Sequence, residues 1–247
     1  MVGDTVVGDT VRVEAIAAIR LLGRFELRID GVAVPSMDSV RVESLLAYLL
    51  LNRDVDVSRQ RLAVLLWPDS TDVQARTNLR HVLHTLRRRL PDVERYLEIG
   101  PRFVRWRRDA TYWLDVARFD GLLASDADGS DGDDRLTGLR EAVALYVGDL
   151  LEGCDDEWLL GERERLRLRL LDALVELAVC CEARGALAEA VSYAERVLRA
   201  DPLREEVYRQ LMRLHDTRGD RAQALRAYHV CASTLDRELG VEPTAAT

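Results

Sequence analysis

Between residues 74 and 108 the chain carries ten arginines and three acids, Asp92, Glu94 and Glu98, a local balance of +7. An arginine fork donates two hydrogen bonds to the O6 and N7 edge of guanine, and arginines along a backbone neutralise phosphates and release counterions. In the same stretch Gln74 can pair with adenine and Thr77 can offer a methyl to thymine. Arg76, Arg80, His81, His84, Arg87 and Arg88 share that segment, and Arg102, Arg105, Arg107 and Arg108 follow Gly100-Pro101. The chemistry on offer is recognition of a polyanion rather than bond making. All 35 basic residues are Arg, so a lysine Schiff base and a GxxxxGK[ST] phosphate loop are both excluded. No HExxH, no GxSxG and no Gly-rich loop after a strand is present, so no residue is assigned a catalytic role and the chain does not read as an enzyme. His81 and His84 stand at i, i+3, a spacing open to a metal, but no third ligand lies nearby. Hydrogen bonding to DNA or water is their favoured role, and neither metal nor cofactor is expected. Cys154, Cys180, Cys181 and Cys231 lack CxxC spacing and read as buried free thiols of a reducing cytoplasm.

These residues need elements to hold them. Over 72–90, at 100° per residue, Leu79, Val82, Leu83, Leu86 and Leu90 fall within about 100° of one another, which predicts a helix with that stripe turned to a core. Gln74, Thr77, His81, His84 and Arg88 then occupy the opposite face, with Arg76, Arg80 and Arg87 on one shoulder. An ordinary solvated helix face is the plain alternative. Against it stand the single sign of the charge, the lack of Glu partners at i+4, and a second basic element close behind. That second element is a strand–turn–strand, Tyr96–Ile99 and Phe103–Arg107 around Gly100-Pro101-Arg102. Its tip Arg102 suits a minor groove, and the arginines behind it suit phosphates. Trp106 can pack inward or stack on a base, with inward packing favoured by strand alternation. Upstream, Ile19–Leu22, Phe25–Ile29 and Val32–Val34 read as short strands turned by Gly23 and Asp30-Gly31, and Pro35 closes the sheet. A helix over 40–52 carries the stripe Val42, Leu45, Leu46, Leu49 and Leu50. Val55–Val57 is a brief extended segment. Ser58 caps the next helix, with Leu62, Leu65 and Leu66 inward, and Trp67-Pro68 ends it. Two short-linked helices backed by a β-hairpin make a winged helix-turn-helix plan.

The remainder reads as helices over about 117–124, 135–147, 156–184, 186–200, 204–218 and 220–238. A period of 34 residues appears: Arg184-Gly185 recurs as Arg218-Gly219, Ala188 and Ala190 as Ala222 and Ala224, and Leu177 as Leu211, with a third copy expected near 135–160. That period is the tetratricopeptide signature. Charge follows the division. Residues 1–119 hold 19 Arg against 16 acids, and residues 120–247 hold 16 Arg against 27 acids. Ala124–Asp134, an acidic Gly/Ser run, reads as a mobile loop or linker. The expected layout is a loosely ordered N-terminus over 1–18, a winged helix-turn-helix over 19–114 and a tetratricopeptide-like domain over 115–247. The fold class is mainly α with a small β component. No stretch approaches 18 uninterrupted apolar residues and no secretory signal opens the chain, so no membrane partner is expected.

The segments LLGRFELRIDGVAV, VESLLAYLLLNRD, VSRQRLAVLLWPDS and ARTNLRHVLHTLRRRL, with DEWLLGERERLRLRLLDAL and ADPLREEVYRQLMRLHDTRGDRAQALRAYHVCASTLDRELGVEP further on, resemble the actinobacterial antibiotic-regulatory-protein (SARP) family. The similarity runs over about 19–243. It implies an OmpR-type winged helix joined to a bacterial transcriptional activator domain. The function it implies is activation of transcription by binding direct repeats in promoters and contacting RNA polymerase, with a homodimer on DNA as one arrangement. By matching position, 72–90 is the recognition helix and 100–102 the wing tip. The Trp67–Thr71 loop resembles the polymerase-facing segment, where Asp69 and Asp72 can meet a basic surface, although Asp72 serves equally as a helix cap. Members continue past ELGVEP into a further helix or further domains. The alternative that stays open is a tetratricopeptide-type adaptor whose winged helix packs only against protein.

Overall fold

The computed structural model describes residues 17–34, 39–124 and 132–247. The expectations for residues 1–16, for Pro35 and for most of the acidic run lie outside the described residues. The chain forms two compact units, one reaching to Asp115 and one starting at Val116.

The first unit opens with β1 (Ala17–Arg20), β2 (Glu26–Ile29) and β3 (Val32–Ala33). Helix α1 (Val40–Leu51), strand β4 (Val57–Ser58), α2 (Arg59–Leu66) and α3 (Asp72–Arg89) follow. The single turn α4 (Val93–Tyr96), then β5 (Leu97–Ile99), β6 (Phe103–Trp106) and β7 (Tyr112–Leu114), complete it. Two sheets result, ordered β3-β2-β1-β7 and β4-β6-β5. Asp30 and Gly31 both take positive φ, 51° and 77°, as the Asp-Gly hairpin turn requires. β1 ends two residues earlier than the sequence suggests. Leu21 and Leu22 leave the ladder because their backbone N–H groups donate to the buried Asp115 carboxylate at 2.8–3.0 Å. β7, which pairs in parallel with β1, went unread in the sequence, since three residues show no alternation.

The α1 stripe is buried throughout, and Asn52 closes the helix, its backbone N–H and side-chain amide both donating to the Tyr48 carbonyl. Ser58 caps α2 by accepting from the Arg61 N–H at 3.1 Å. On α2 the inward set is Leu62, Ala63 and Leu66; Leu65 is only half-buried, one helical step off the centre of that face.

The second unit is helical: α5 (Asp115–Ala124, beginning at the boundary), α6 (Gly132–Leu145), α7 (Trp158–Ala183), α8 (Leu187–Ala200), α9 (Glu205–Thr217) and α10 (Arg221–Leu239). The repeat is visible in the turns. Gly185 and Gly219 have φ of 74° and 75°. Each is followed by the same closure, Ala186 N–H to the Cys181 carbonyl and Asp220 N–H to the His215 carbonyl, both at 2.9 Å. Leu136, Leu139 and Val143 of α6 join Leu171, Leu174 and Leu177 of α7 and the inner residues of α8 and α9 in one core. Where the third copy was expected, α6 leads not into a tight turn but into a non-helical stretch, tied down by Arg163, which donates to the carbonyls of Leu150, Leu151 and Cys154.

Candidate nucleic-acid interface

Helix α3 is built from inside outward. Ala75, Leu79, Val82, Leu83 and Leu86 are buried, and Leu90 at its end is buried too. This apolar inner face fixes the rotation of the helix about its axis. Thr71, not Asp72, is the cap: its hydroxyl accepts from the Gln74 N–H, and Asp72 is the first helical residue. There Asp72 complements the positive end of the helix and pairs with Arg76 at 3.4 Å. That i, i+4 pair corrects the expectation that this face lacks such partners. Gln74 donates to the Asn78 side chain at 2.8 Å, and the Thr77 hydroxyl donates back to the Val73 carbonyl at 3.0 Å.

The outer face presents Gln74, Arg76, Arg80, His81, His84, Arg87 and Arg88 exposed, with Thr77 half-buried among them. Among the described residues, Arg80, His81, His84, Arg87 and Arg88 have no hydrogen-bond or ion-pair partner. One more arginine lies close to this group. Arg59 opens α2, and its guanidinium is held below its ordinary pKa by burial, then by the like charges of Arg80 and Arg87. Arg59 also ties in the wing: its backbone N–H donates to the Arg102 carbonyl at 2.9 Å and its side chain to the Gly100 carbonyl at 3.4 Å. Sequence reading passed over Arg59 because it lies outside the basic run; the Ser58 cap next to it was the available signal.

The wing is the β5–β6 hairpin, with Glu98 opposite Arg105 and Ile99 opposite Val104. Gly100 lets the turn close against Phe103, since a Cβ there would stand 3.0 Å from the Phe103 ring and the ring would have to shift. Arg102 is exposed at the tip. The arginines behind it differ in state from those of α3. Arg105 binds Glu98 at 2.7 Å and Asp56 at 3.1 Å. Arg107 binds Asp109 at 3.2 Å and holds that carboxyl below its ordinary pKa. Arg108 donates to the Asp54 carbonyl at 2.8 Å. Trp106 resolves toward core packing: it is 3 % exposed, with the Tyr96 and Tyr112 rings at 5.9 and 5.2 Å. Asp69, in the loop before α3, is exposed. Among the described residues, no cluster of three or more His, Cys, Asp or Glu side chains is arranged to hold a metal, and no helix is long and apolar enough to cross a membrane.

A family model for the bacterial transcriptional activator domain matches residues 114–247. Transcriptional regulatory protein MoaR1 of Mycobacterium tuberculosis is 29% identical over 246 residues, covering 90% of this chain and 74% of that protein. Regulatory protein AfsR of Streptomyces coelicolor is 30% identical over 211 residues, which is 83% of this chain but 21% of AfsR. Among solved structures, Mycobacterium tuberculosis EmbR in complex with a low-affinity phosphopeptide matches at 24% identity with a TM-score of 0.78, covering 94% of this chain and 63% of that one. The likeness to EmbR shows the shared architecture, a winged helix followed by the activator domain.

Proposed function

The chain belongs to the bacterial transcriptional activator domain family and is a SARP-type transcription regulator, and from that premise we propose that it binds duplex DNA through α3 and the wing and catalyses no reaction. In this reading α3 enters the major groove. Gln74, Thr77, His81, His84 and Arg88 face base edges, while Arg59, Arg76, Arg80 and Arg87 lie toward phosphates. Arg102 at the wing tip reaches the neighbouring minor groove. Arg105 and Arg107 approach the backbone only by sharing their charge with Glu98, Asp56 and Asp109. Asp69 is the polymerase-facing group, and Asp72, already paired with Arg76, plays the smaller part. Two copies on repeated half-sites complete the arrangement, in the cytoplasm where DNA and polymerase are found.

The observation that supports this reading is the row of unpaired exposed cations on a helix whose other face is fully committed to the core. In a folded chain with a net charge of −8, such a row is left for a partner of opposite sign. The test is duplex binding by the whole chain across salt concentrations. Each phosphate contact contributes about −0.9 to the slope of log affinity against log salt. Arg80→Ala and Arg87→Ala should each flatten that slope by about one unit. A chain that binds no duplex at low salt, and uses this face on a protein instead, would be the adaptor.

A further inference from the structure

The outer face of α3 changes character along its length. Its last turns carry unpaired cations, whereas the one arginine of its first two, Arg76, is paired with Asp72. Val73, the second helical residue, is 75 % exposed, more than any other large hydrophobic among the described residues. Helix stability does not ask for it, since a β-branched residue is a poor helix former and an acid would suit this end better. Thr77, one turn on, has its hydroxyl hydrogen committed to the Val73 carbonyl, so the side chain can no longer donate and offers a partner its methyl and an acceptor oxygen. The polar neighbours are held to the sides of this pair. Gln74 is bonded to Asn78 on one flank, and Arg76 to Asp72 on the other. Val73 and Thr77 therefore form a two-residue apolar strip, in line with His84 and Arg88 further along.

We infer that this strip reads the 5-methyl groups of thymine, which makes Val73 a specificity-determining residue. The inference rests on the proposed entry of α3 into the major groove and names what its first turns select. The N-terminal residues of an inserted helix are those nearest base edges, and the thymine methyl is the one apolar group displayed there. Cytosine has only a hydrogen at that carbon and carries an amino group beside it where thymine has O4, a donor that an isopropyl group cannot satisfy. Burying one methyl on another corresponds to about fourfold in affinity.

The experiment uses duplexes selected by the whole chain from a random library. Each thymine is replaced in turn by deoxyuridine, which removes only the methyl. At one or two positions the replacement should weaken binding about three- to tenfold. Val73→Ala should bind thymine and deoxyuridine alike at one of these positions and match the wild type on the deoxyuridine duplex. Thr77→Ser, which keeps the hydroxyl bond and drops the methyl, should do the same at the neighbouring position. Val73 is exposed, so the variant should melt as the wild type does. Indifference to the methyl at every thymine, or undiminished discrimination by Val73→Ala, overturns the inference while normal salt-dependent binding leaves α3 in the groove. If no duplex is enriched at any salt concentration, the DNA reading fails and takes this inference with it.

Discussion

At the scale of single residues, two populations of arginine share one composition. Arg80, Arg87 and Arg88 on the outer face of α3 stand alone, whereas Arg105 sits between Glu98 and Asp56. The difference was only half legible in the sequence. The α3 stripe is a local period, and every residue it assigns to the core is buried. The Arg105 pairings are not local: Asp56 lies 49 residues away and meets Arg105 because β4 pairs with β6. Glu98 was visible, but its place opposite Arg105 depends on hairpin register, which a three-residue strand barely encodes. Arg88 tests the first population. It lies at the middle of the outer face, far from the phosphate-side shoulder. Arg88→Ala should cost about 1–3 kcal/mol on the preferred duplex and relax selection at one base pair. Measured affinities across single-base variants decide it, because an equal loss on every sequence would make Arg88 a backbone contact.

At the scale of elements, turns proved more legible than short strands. Asp-Gly, Arg-Gly and the Ser58 cap each name a backbone requirement in one or two residues, and each is met. β7 and α4 carry no such signal, and their place comes from partners distant in sequence, β1 above all. The region expected to hold a third repeat differs for a related reason. Spacing alone suggested it, but the segment after α6 has no turn glycine at the matching offset, and Leu151 takes a positive φ of 52° within a loop instead. The repeat turns that do form make a sharp prediction. Gly219 has φ of 75°, and a Cβ there would meet nothing within 4 Å. Any penalty for a side chain is therefore backbone strain and not crowding. Gly219→Ala should destabilise the helical unit by about 1 kcal/mol and Gly219→Val by roughly 2 kcal/mol. Urea unfolding followed by helical signal measures both, and equal stability for all three chains would remove the positive-φ requirement from the turn.

At the scale of the whole molecule, charge is segregated by use. The helical unit pairs many of its arginines with its own carboxylates, three of them in forked pairs between helices: Arg135 with Glu176 at 2.6 Å, Arg118 with Glu141 at 2.8 Å, Arg213 with Glu182 at 2.8 Å. A planar guanidinium meets a carboxylate through two parallel bonds, which an ammonium cannot do, so an arginine-only chain gains in orientation here. The pairs tie helix to helix across 23–41 residues, and their acids set the response to pH. Glu182 and Glu141 are both held below the ordinary glutamate range, first by their hydrogen bonds to Arg213 and Arg118. A carboxyl with a lowered folded pKa favours the folded state wherever the unfolded chain would bind more protons. Its contribution is complete above the unfolded value, about 4.3, and disappears as pH falls through the lower folded value. The helical unit should therefore hold a level melting temperature from pH 7 down to about 5 and lose stability progressively below about pH 4.3. Arg213→Gln should remove part of that acid sensitivity, because Glu182 then titrates nearer its unfolded value. Thermal melts of the two chains between pH 3 and 7 should converge toward the acid end, and a constant gap between them would mean that the Glu182 pair does not carry the effect.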